Sequence, residues 1–127
     1  MKTFLGTSLL VLTGLLLGLA GPVLSAPTSE SAAAPTLTKV ESRQVCMVND
    51  TFFPRDQIPV EVEGRTYYGC CEMCKGRLAK DSAIRQAVDP VTGVKVDKAT
   101  ALIAAGPDGR VLYFENQESF SRYGSKP

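Results

Sequence analysis

The chain has 127 residues, of which 44% are hydrophobic, with fourteen basic and thirteen acidic side chains, four cysteines and no histidine. A formal net charge of +1 offers no strong field for nucleic acid or for an anionic membrane surface, so neither is expected as a partner. Without histidine, catalysis would need paired carboxylates or a lysine, and the acidic residues are scattered along the chain. The sequence therefore predicts a binding protein and not an enzyme.

The first 25 residues have the layout of a secretory signal peptide. Lys2 carries the only side-chain charge, an apolar run follows, Gly21-Pro22 ends that run, and the small residue Ser25 precedes the expected cleavage point. We expect an exported protein without a stable membrane span after cleavage, periplasmic in a bacterium and otherwise secreted. An uncleaved anchor is the alternative, because the apolar run approaches the length of a short span.

Residues 26–42 are expected to form a flexible linker. The stretch APTSESAAAPTLTK, from Ala26 to Lys39, has Leu37 as its one large apolar side chain, so it buries too little surface to offset its ordering entropy. About 85 residues remain for the folded part. A core of that size often needs disulfides or a metal.

The folded part contains an internal repeat. EGRTYYGCCEMCKGRL begins at Glu63 and DGRVLYFENQESFSRY begins at Asp108, a constant shift of 45. The shift also aligns Gly64 with Gly109, Arg65 with Arg110, Tyr68 with Tyr113, and Arg77 with Arg122. We therefore predict two related units in one compact domain, residues 43–88 and residues 89–127.

Each unit reads as a β-hairpin followed by a short helix, which predicts an α+β fold. The predicted strands are 58–62 and 65–69 in the first unit, and 99–105 and 110–114 in the second, with glycine-containing turns between them. The predicted helices are 72–80 and 117–123, the second capped by Asn116. A further helix, SAIRQAV, is predicted after Asp81.

The cysteines distinguish the two units. By the repeat, Cys70 corresponds to Glu115, Cys71 to Asn116 and Cys74 to Ser119, and a shift larger by one aligns Cys46 with Thr92. The second unit thus keeps the frame of a hairpin followed by a helix, but has no cysteine in it. A fold that stands in the second unit without cysteines does not need them merely to form that frame, which weakens a purely structural disulfide role and leaves it as an alternative.

The cysteines Cys46, Cys70, Cys71 and Cys74 are the candidate metal ligands. A thiol at the start of a helix is favoured as the thiolate, and Cys74 shares a helical face with Cys70 or Cys71. Converging thiolates without imidazole suit soft ions: Cu(I), Zn(II), or toxic ions such as Cd(II) and Hg(II). Met47 and Met73 stand beside the cysteines, and a thioether ligand would favour Cu(I).

The cysteine pattern resembles the TRASH and YHS group of small metal-binding domains. It consists of Cys46, twenty-three intervening residues, and Cys70-x-x-x-Cys74 within GRTYYGCCEMCKGRL. The stretch from Asp89 to Tyr123 resembles a YHS copy whose site cysteines have been replaced. The likeness covers about residues 44 to 127.

This resemblance implies a treble-clef-like unit that handles soft metals in sensing, trafficking or resistance, with a metal-transporting or metal-accepting protein as a partner. By this resemblance, the metal ligands would be Cys46, Cys70 and Cys74. Cys71 departs from the family pattern, and because adjacent side chains on a helix diverge, we expect Cys71 outside the primary shell.

Two other functions fit the same cysteines. In an exported chain, four cysteines can form two structural disulfides in a disulfide-stapled interaction domain. Cys71-x-x-Cys74 after a strand also resembles the step used by thiol-disulfide redox proteins, although the βαβ pattern of those proteins is missing.

Overall fold

Nine short strands and two α-helices follow one another along residues 36–125, the part of the chain that a computed structural model describes. The strands are β1 (Thr38–Lys39), β2 (Val45–Cys46), β3 (Thr51–Phe52), β4 (Ile58–Val62), β5 (Arg65–Gly69), β6 (Gln86–Val88), β7 (Lys95–Asp97), β8 (Leu102–Ala105) and β9 (Val111–Phe114). The helices are α1 (Glu72–Lys80) and α2 (Gln117–Gly124), with 3-10 turns at Ser42–Gln44 and Ala83–Arg85. The elements confirm the α+β class. The predicted signal peptide lies outside the described residues.

The first unit contains the predicted hairpin and helix at their predicted bounds. β4 pairs antiparallel with β5 through a two-residue turn, in which Glu63 and Gly64 have φ angles of 53° and 75°. Two residues with positive φ suit the right-handed twist of a hairpin. Tyr67 on β5 and Leu78 on α1 are both buried, so the helix packs its apolar side against the hairpin.

The second unit repeats this order with a longer turn. β8 pairs with β9, and the turn residue Gly109 has a φ of 79°. The side chain of Asn116 accepts a hydrogen bond from the Ser119 amide at 2.9 Å, which confirms the predicted helix cap. Phe114 is fully buried, and its ring meets those of Phe120 and Tyr123 edge to face.

A shorter strand pair precedes each hairpin. β2 pairs with β3 in the first unit, and β6 pairs with β7 in the second. β6 lies just before the boundary predicted after residue 88, yet its partner lies beyond that boundary. The second structural repeat therefore begins at Gln86 rather than at Asp89.

The prediction of a helix over SAIRQAV is wrong. Asp81 does accept a hydrogen bond from the Ala83 amide at 2.9 Å, but the turn ends at Arg85 and the chain continues as β6. Arg85 is buried, donates to the Leu78 carbonyl at 2.6 Å and stacks over the Tyr67 ring. These tertiary contacts and the pairing of β6 outweigh the local helix signal.

The strand predicted over residues 99–105 is shorter in the structure. The Asp97 side chain accepts from the Ala99 amide at 2.9 Å, and its backbone carbonyl accepts from Thr100 and Ala101. This turn occupies the first residues of the predicted strand. β8 therefore starts at Leu102.

Order extends into the segment predicted as a linker. β1 pairs antiparallel with β8, Thr38 opposite Ala105 and Lys39 opposite Ala104, and adds a third strand to the β8–β9 sheet. The Val40 amide continues this contact by donating to the Ile103 carbonyl at 3.0 Å. The linker residues from Thr38 onward therefore belong to the fold.

The two units interlock through reciprocal tyrosine–carboxylate contacts. Tyr67 of the first unit donates to Asp97 of the second at 2.9 Å, and Tyr113 of the second donates to Asp50 of the first at 2.9 Å. The shared core includes Val45, Val60, Tyr67, Leu78, Val96, Ile103, Val111 and Tyr113. Within the described residues, no helix is long and apolar enough to cross a membrane.

Candidate metal centre

The step from β5 to α1 positions two of the candidate cysteines. β5 ends at Gly69, Cys70 follows directly, and Cys74 lies within the first turn of α1. A Cβ at Gly69 would lie 3.0 Å from the Cys74 Cβ and 3.1 Å from the Lys75 amide nitrogen. The missing side chain at Gly69 therefore lets the helix start close against the strand, which brings Cys74 back toward Cys70.

The third cysteine comes from a separate segment. Cys46 ends β2 and is fully buried, and the following amide, that of Met47, donates to the Tyr68 carbonyl on β5 at 2.9 Å. This hydrogen bond fastens the β2–β3 loop to the strand that leads into Cys70. Cys46 thus reaches the start of α1 from a separate segment of the chain.

Cys46, Cys70 and Cys74 form a compact sulfur cluster, with all three Sγ atoms within 4.8 Å of one another. The Sγ atoms of Cys70 and Cys74 are 3.6 Å apart. Sulfurs bound to one ion at about 2.3 Å lie roughly 3.8 to 4.0 Å from each other. The donor set therefore fits a single soft ion with only small side-chain rotations.

The cluster distributes its protons unequally. Burial would raise the pKa of Cys46, but hydrogen bonds from the Asn49 amide and from Cys70 outweigh it and leave that pKa below its ordinary value. The hydrogen bond to Cys46 raises the pKa of Cys70. Burial, with hydrogen bonds to Cys71 and Cys70, raises the pKa of Cys74 to about 12. Cys46 therefore loses its proton at a lower pH than the other two thiols, and metal binding would displace the protons that remain on the cluster.

Asn49 contacts the exposed side of the cluster. Its side-chain nitrogen lies 3.8 Å from the Cys70 Sγ, within the range of a weak N–H···S hydrogen bond. Cys70 is half-buried, whereas Cys46 and Cys74 are buried. Access to the sulfurs therefore lies on the side of Cys70 and Asn49.

Cys71 lies outside the sulfur cluster and is exposed. It is the N-cap residue of α1, with φ and ψ of −155° and 170°, and the corresponding Asn116 of α2 has −160° and 178°. Its thiol makes no capping hydrogen bond of normal geometry, but the nearby Cys74 amide lowers the Cys71 pKa. All four cysteines fall within the described residues and are free thiols.

The two methionines near the cysteines lie in different environments. Met47 is fully buried and belongs to the hydrophobic core. Met73 is 76% exposed on α1. The structure therefore gives Met47 a packing role and leaves Met73 at the protein surface.

The alignment of Cys46 with Thr92 is wrong, because Asp89 occupies the corresponding place in the second unit. Four residues after Cys46 the chain turns at Asp50 with a φ of 50°, and four residues after Asp89 it turns at Gly93 with a φ of 73°. Asp89 contacts Ser119, just as Cys46 lies against Cys74. The loop between β6 and β7 has six residues, 89–94, whereas the loop between β2 and β3 has four, 47–50, so the shift of 45 between the hairpins becomes 43 at this position.

Asp89 replaces the sulfur cluster with hydrogen bonds. Its carboxylate is fully buried and accepts from the Ser119 hydroxyl and from the amides of Glu115 at 2.8 Å, Val91 at 2.7 Å and Thr92 at 3.2 Å. Burial would raise the pKa of Asp89, but these donors outweigh it and hold that pKa below its ordinary value. In each unit, the place where the end of the first short strand meets the start of the helix forms one corner of the fold. In the second unit this corner is therefore held by a carboxylate whose hydrogen bonds are satisfied.

Sequence reasoning missed the roles of Asp89, Asn49 and Lys98 around these two sites. The sequence pattern marks Asp89-Pro90 only as a helix breaker, and a turn-forming Asp before Pro gives no sign of what its carboxylate binds. Lys98 is only 4% exposed, although it lies in a polar stretch of sequence. Its burial depends on partners 48 and 51 residues away in the sequence, which no local pattern reveals.

Comparisons with protein-family models, with curated proteins and with solved structures found no match to this chain.

Proposed function

We propose that this protein is an exported carrier of one soft metal ion, bound by Cys46, Cys70 and Cys74, with Cu(I) favoured and Zn(II) possible. The observation that supports the proposal is the convergence of three Sγ atoms within 4.8 Å from two separate segments of the chain. A structural role alone would not require all three sulfurs to meet, because the second unit closes the same corner without sulfur. The resemblance to TRASH and YHS domains supports the same proposal.

Cu(I) is favoured by the number and kind of ligands. Three thiolates without imidazole or carboxylate suit Cu(I), whereas a closed structural Zn(II) site takes four protein ligands. Cys71, the fourth cysteine, lies outside the cluster. Three ligands on a partly exposed site also allow ligand exchange with a metal-accepting protein, and so favour trafficking over permanent structural binding.

Metal titration of the reduced protein without oxygen tests the proposal. Native mass spectrometry should show one Cu(I) per chain, and Cys74→Ser should lower the Cu(I) affinity at least tenfold in competition with a chromophoric chelator. Cys71→Ser is the matched control, with an affinity within a few-fold of wild type. Equal affinities of wild type and Cys74→Ser would rule out this site. The disulfide-stapled domain would be favoured if the mass of the purified protein were lower by two hydrogens for each cysteine pair and the reduced protein took up no metal.

Thiol–disulfide exchange is the second candidate function. Cys71 is exposed at the N-terminus of α1, and the buried Cys74 follows three residues later. In such a reaction the two thiols would become a disulfide, and the disulfide of the substrate protein would be reduced to two thiols. Reduction of insulin by the reduced, metal-free protein, abolished in Cys71→Ser, would support this function over metal transport.

A further inference from the structure

The position of Cys46 depends on a loop that the second unit holds. Cys70 and Cys74 lie on one continuous strand–helix step, but Cys46 lies 24 positions before Cys70 and starts the loop between β2 and β3. The loop turns at Asp50, whose φ of 50° lies in the left-handed region. Its exact course therefore has to be maintained by contacts with other segments.

Lys98 makes two of these contacts. Its Nζ donates to the carbonyl of Met47, the residue after Cys46, at 2.7 Å, and to the Asp50 carboxylate at 2.6 Å. The side chain is buried, and its ammonium lies 5.1 Å from the centre of the Tyr113 ring. One cation thus joins both ends of the Cys46 loop.

Two further contacts come from β9. The Tyr113 hydroxyl donates to the same Asp50 carboxylate at 2.9 Å, and the Val111 amide donates to the Asp50 carbonyl at 3.0 Å. Asp50 is therefore held through its side chain and its backbone. All of these donors belong to the sulfur-free second unit.

A second ion pair, Arg65–Asp97, also joins the two units, with its cation in the first unit and its carboxylate in the second. Arg65 binds Asp97 at 2.9 Å, and the Tyr67 hydroxyl donates to the same carboxylate oxygen at 2.9 Å. Arg65 has half of its side chain exposed. This pair joins β5 to the end of β7, and among the described residues no hydrogen bond or ion pair links it to the Cys46 loop, so it provides a reference for Lys98.

We infer that Lys98 is a positioning residue for the metal site, which fixes the loop from Cys46 to Asp50 so that the Cys46 sulfur completes the three-thiolate set. The inference rests on the proposed function. It gives the second unit a specific role, because that unit supplies the cation that holds the ligand most distant in sequence. Without Lys98, the Met47 carbonyl loses its donor and Asp50 loses its cation, so the loop can adopt other conformations while Cys70 and Cys74 stay in place.

The test compares Lys98→Met with Arg65→Met under conditions in which circular dichroism shows both variants fully folded. The probe is Co(II), because the intensity of its near-ultraviolet sulfur-to-cobalt band increases with the number of bound thiolates. We expect three thiolates in wild type and Arg65→Met, but two in Lys98→Met. Cu(I) affinity should fall at least tenfold in Lys98→Met and stay within threefold in Arg65→Met. A purely structural role of Lys98 would lower the melting temperature without changing the thiolate count.

A milder pair of variants decides the outcome if Lys98→Met does not fold. Asp50→Asn keeps an acceptor and tolerates the left-handed turn, but it removes the charge that binds Lys98, and Asp97→Asn is its counterpart in the Arg65–Asp97 pair. We expect weaker Cu(I) binding in Asp50→Asn only. Equal thiolate counts and affinities in the members of each pair would overturn the inference. If wild type binds neither Co(II) nor Cu(I), the proposed function itself is wrong and the inference falls with it.

Discussion

Asp89 accepts a hydrogen bond from Ser119 in the second unit, at the place where Cys46 and Cys74 lie together in the first. Each pair joins the end of a short strand to the first turn of a helix. The first pair brings two sulfurs within 4.8 Å of each other, whereas in the second pair the Asp89 carboxylate accepts hydrogen bonds from four donors. The two units therefore share a frame and differ in what holds this corner.

Replacing Asp89 by Asn should destabilise the protein at neutral pH and make its stability less sensitive to acid. Because the folded-state pKa of Asp89 lies below the ordinary value of 3.8, its ionised form favours folding above about pH 4. That contribution is lost as the pH falls through the lower, folded-state pKa. We expect a loss of about 1–3 kcal/mol in the free energy of unfolding at pH 6, and a smaller difference from wild type at pH 3.

Urea unfolding at the two pH values measures this effect. Asp56→Asn is the control, since Asp56 forms an ion pair at 3.7 Å with Arg43 and both side chains are exposed. That change should alter stability by less than about 0.5 kcal/mol. A difference between Asp89→Asn and wild type that stays constant from pH 6 to pH 3 would contradict the role given to the Asp89 charge.

Replacing Cys71 by Asn should stabilise the metal-free protein. Cys71 has the N-cap geometry of Asn116 but makes no capping hydrogen bond, so an Asn side chain would give the Cys74 amide the acceptor that Ser119 already has. We expect a gain of about 1 kcal/mol in the free energy of unfolding, and the opposite change for Asn116→Ala. Cu(I) affinity should stay within threefold. If Cu(I) affinity fell as much in this variant as in Cys74→Ser, Cys71 would instead be a metal ligand.

The local parts of the fold could be predicted from the sequence because their signals are local. Glu63-Gly64 between two alternating stretches predicts the first hairpin, and Asn116 before a short helical pattern predicts the cap of α2. The helix predicted over residues 82–88 does not form. Asp81 does accept a hydrogen bond from the Ala83 amide, but the pairing of β6 with β7 determines the structure of this segment. Short segments of this kind are governed by distant partners rather than by propensity.

The candidate site could be predicted only in part for the same reason. Cysteine spacing indicates that Cys70 and Cys74 meet, because both lie on one strand–helix step. The repeat indicates an equivalent of Cys46 in the second unit, but the loop between β6 and β7, two residues longer than the loop between β2 and β3, places that equivalent at Asp89 and not at Thr92. The role of Lys98 depends on side-chain packing between the units, and an alignment of repeats contains no information about it.

Replacing Gly69 by Ala should weaken both folding and metal binding. The added methyl group would lie 3.0 Å from the Cys74 Cβ and 3.2 Å from the Cys74 carbonyl carbon, so the start of α1 has to move away from β5. We expect a loss of about 1–3 kcal/mol in the free energy of unfolding. Cu(I) affinity should fall severalfold, since the same movement separates Cys74 from Cys70.

Gly76→Ala is the matched control for this prediction. Gly76 lies within α1, and a Cβ there would meet nothing within 4 Å. Because alanine favours a helix over glycine, this variant should be more stable by about 0.5–1 kcal/mol, with unchanged Cu(I) affinity. Thermal unfolding and chelator competition on the two variants measure both quantities. Similar affinities in the two variants would show that the approach of α1 to β5 does not determine the sulfur positions.

Three substitutions in the second unit should create a second metal site. Asp89→Cys, Glu115→Cys and Ser119→Cys together place sulfur at the positions that correspond to Cys46, Cys70 and Cys74, on a frame with the same turn and the same helix start. A bound ion would then replace the hydrogen bonds that Asp89 makes now. Native mass spectrometry of the reduced protein should show two Co(II) ions per chain, and one in the variant that keeps Asp89 and carries only the other two changes. A folded triple variant that still binds one ion would show that the two corners are not equivalent.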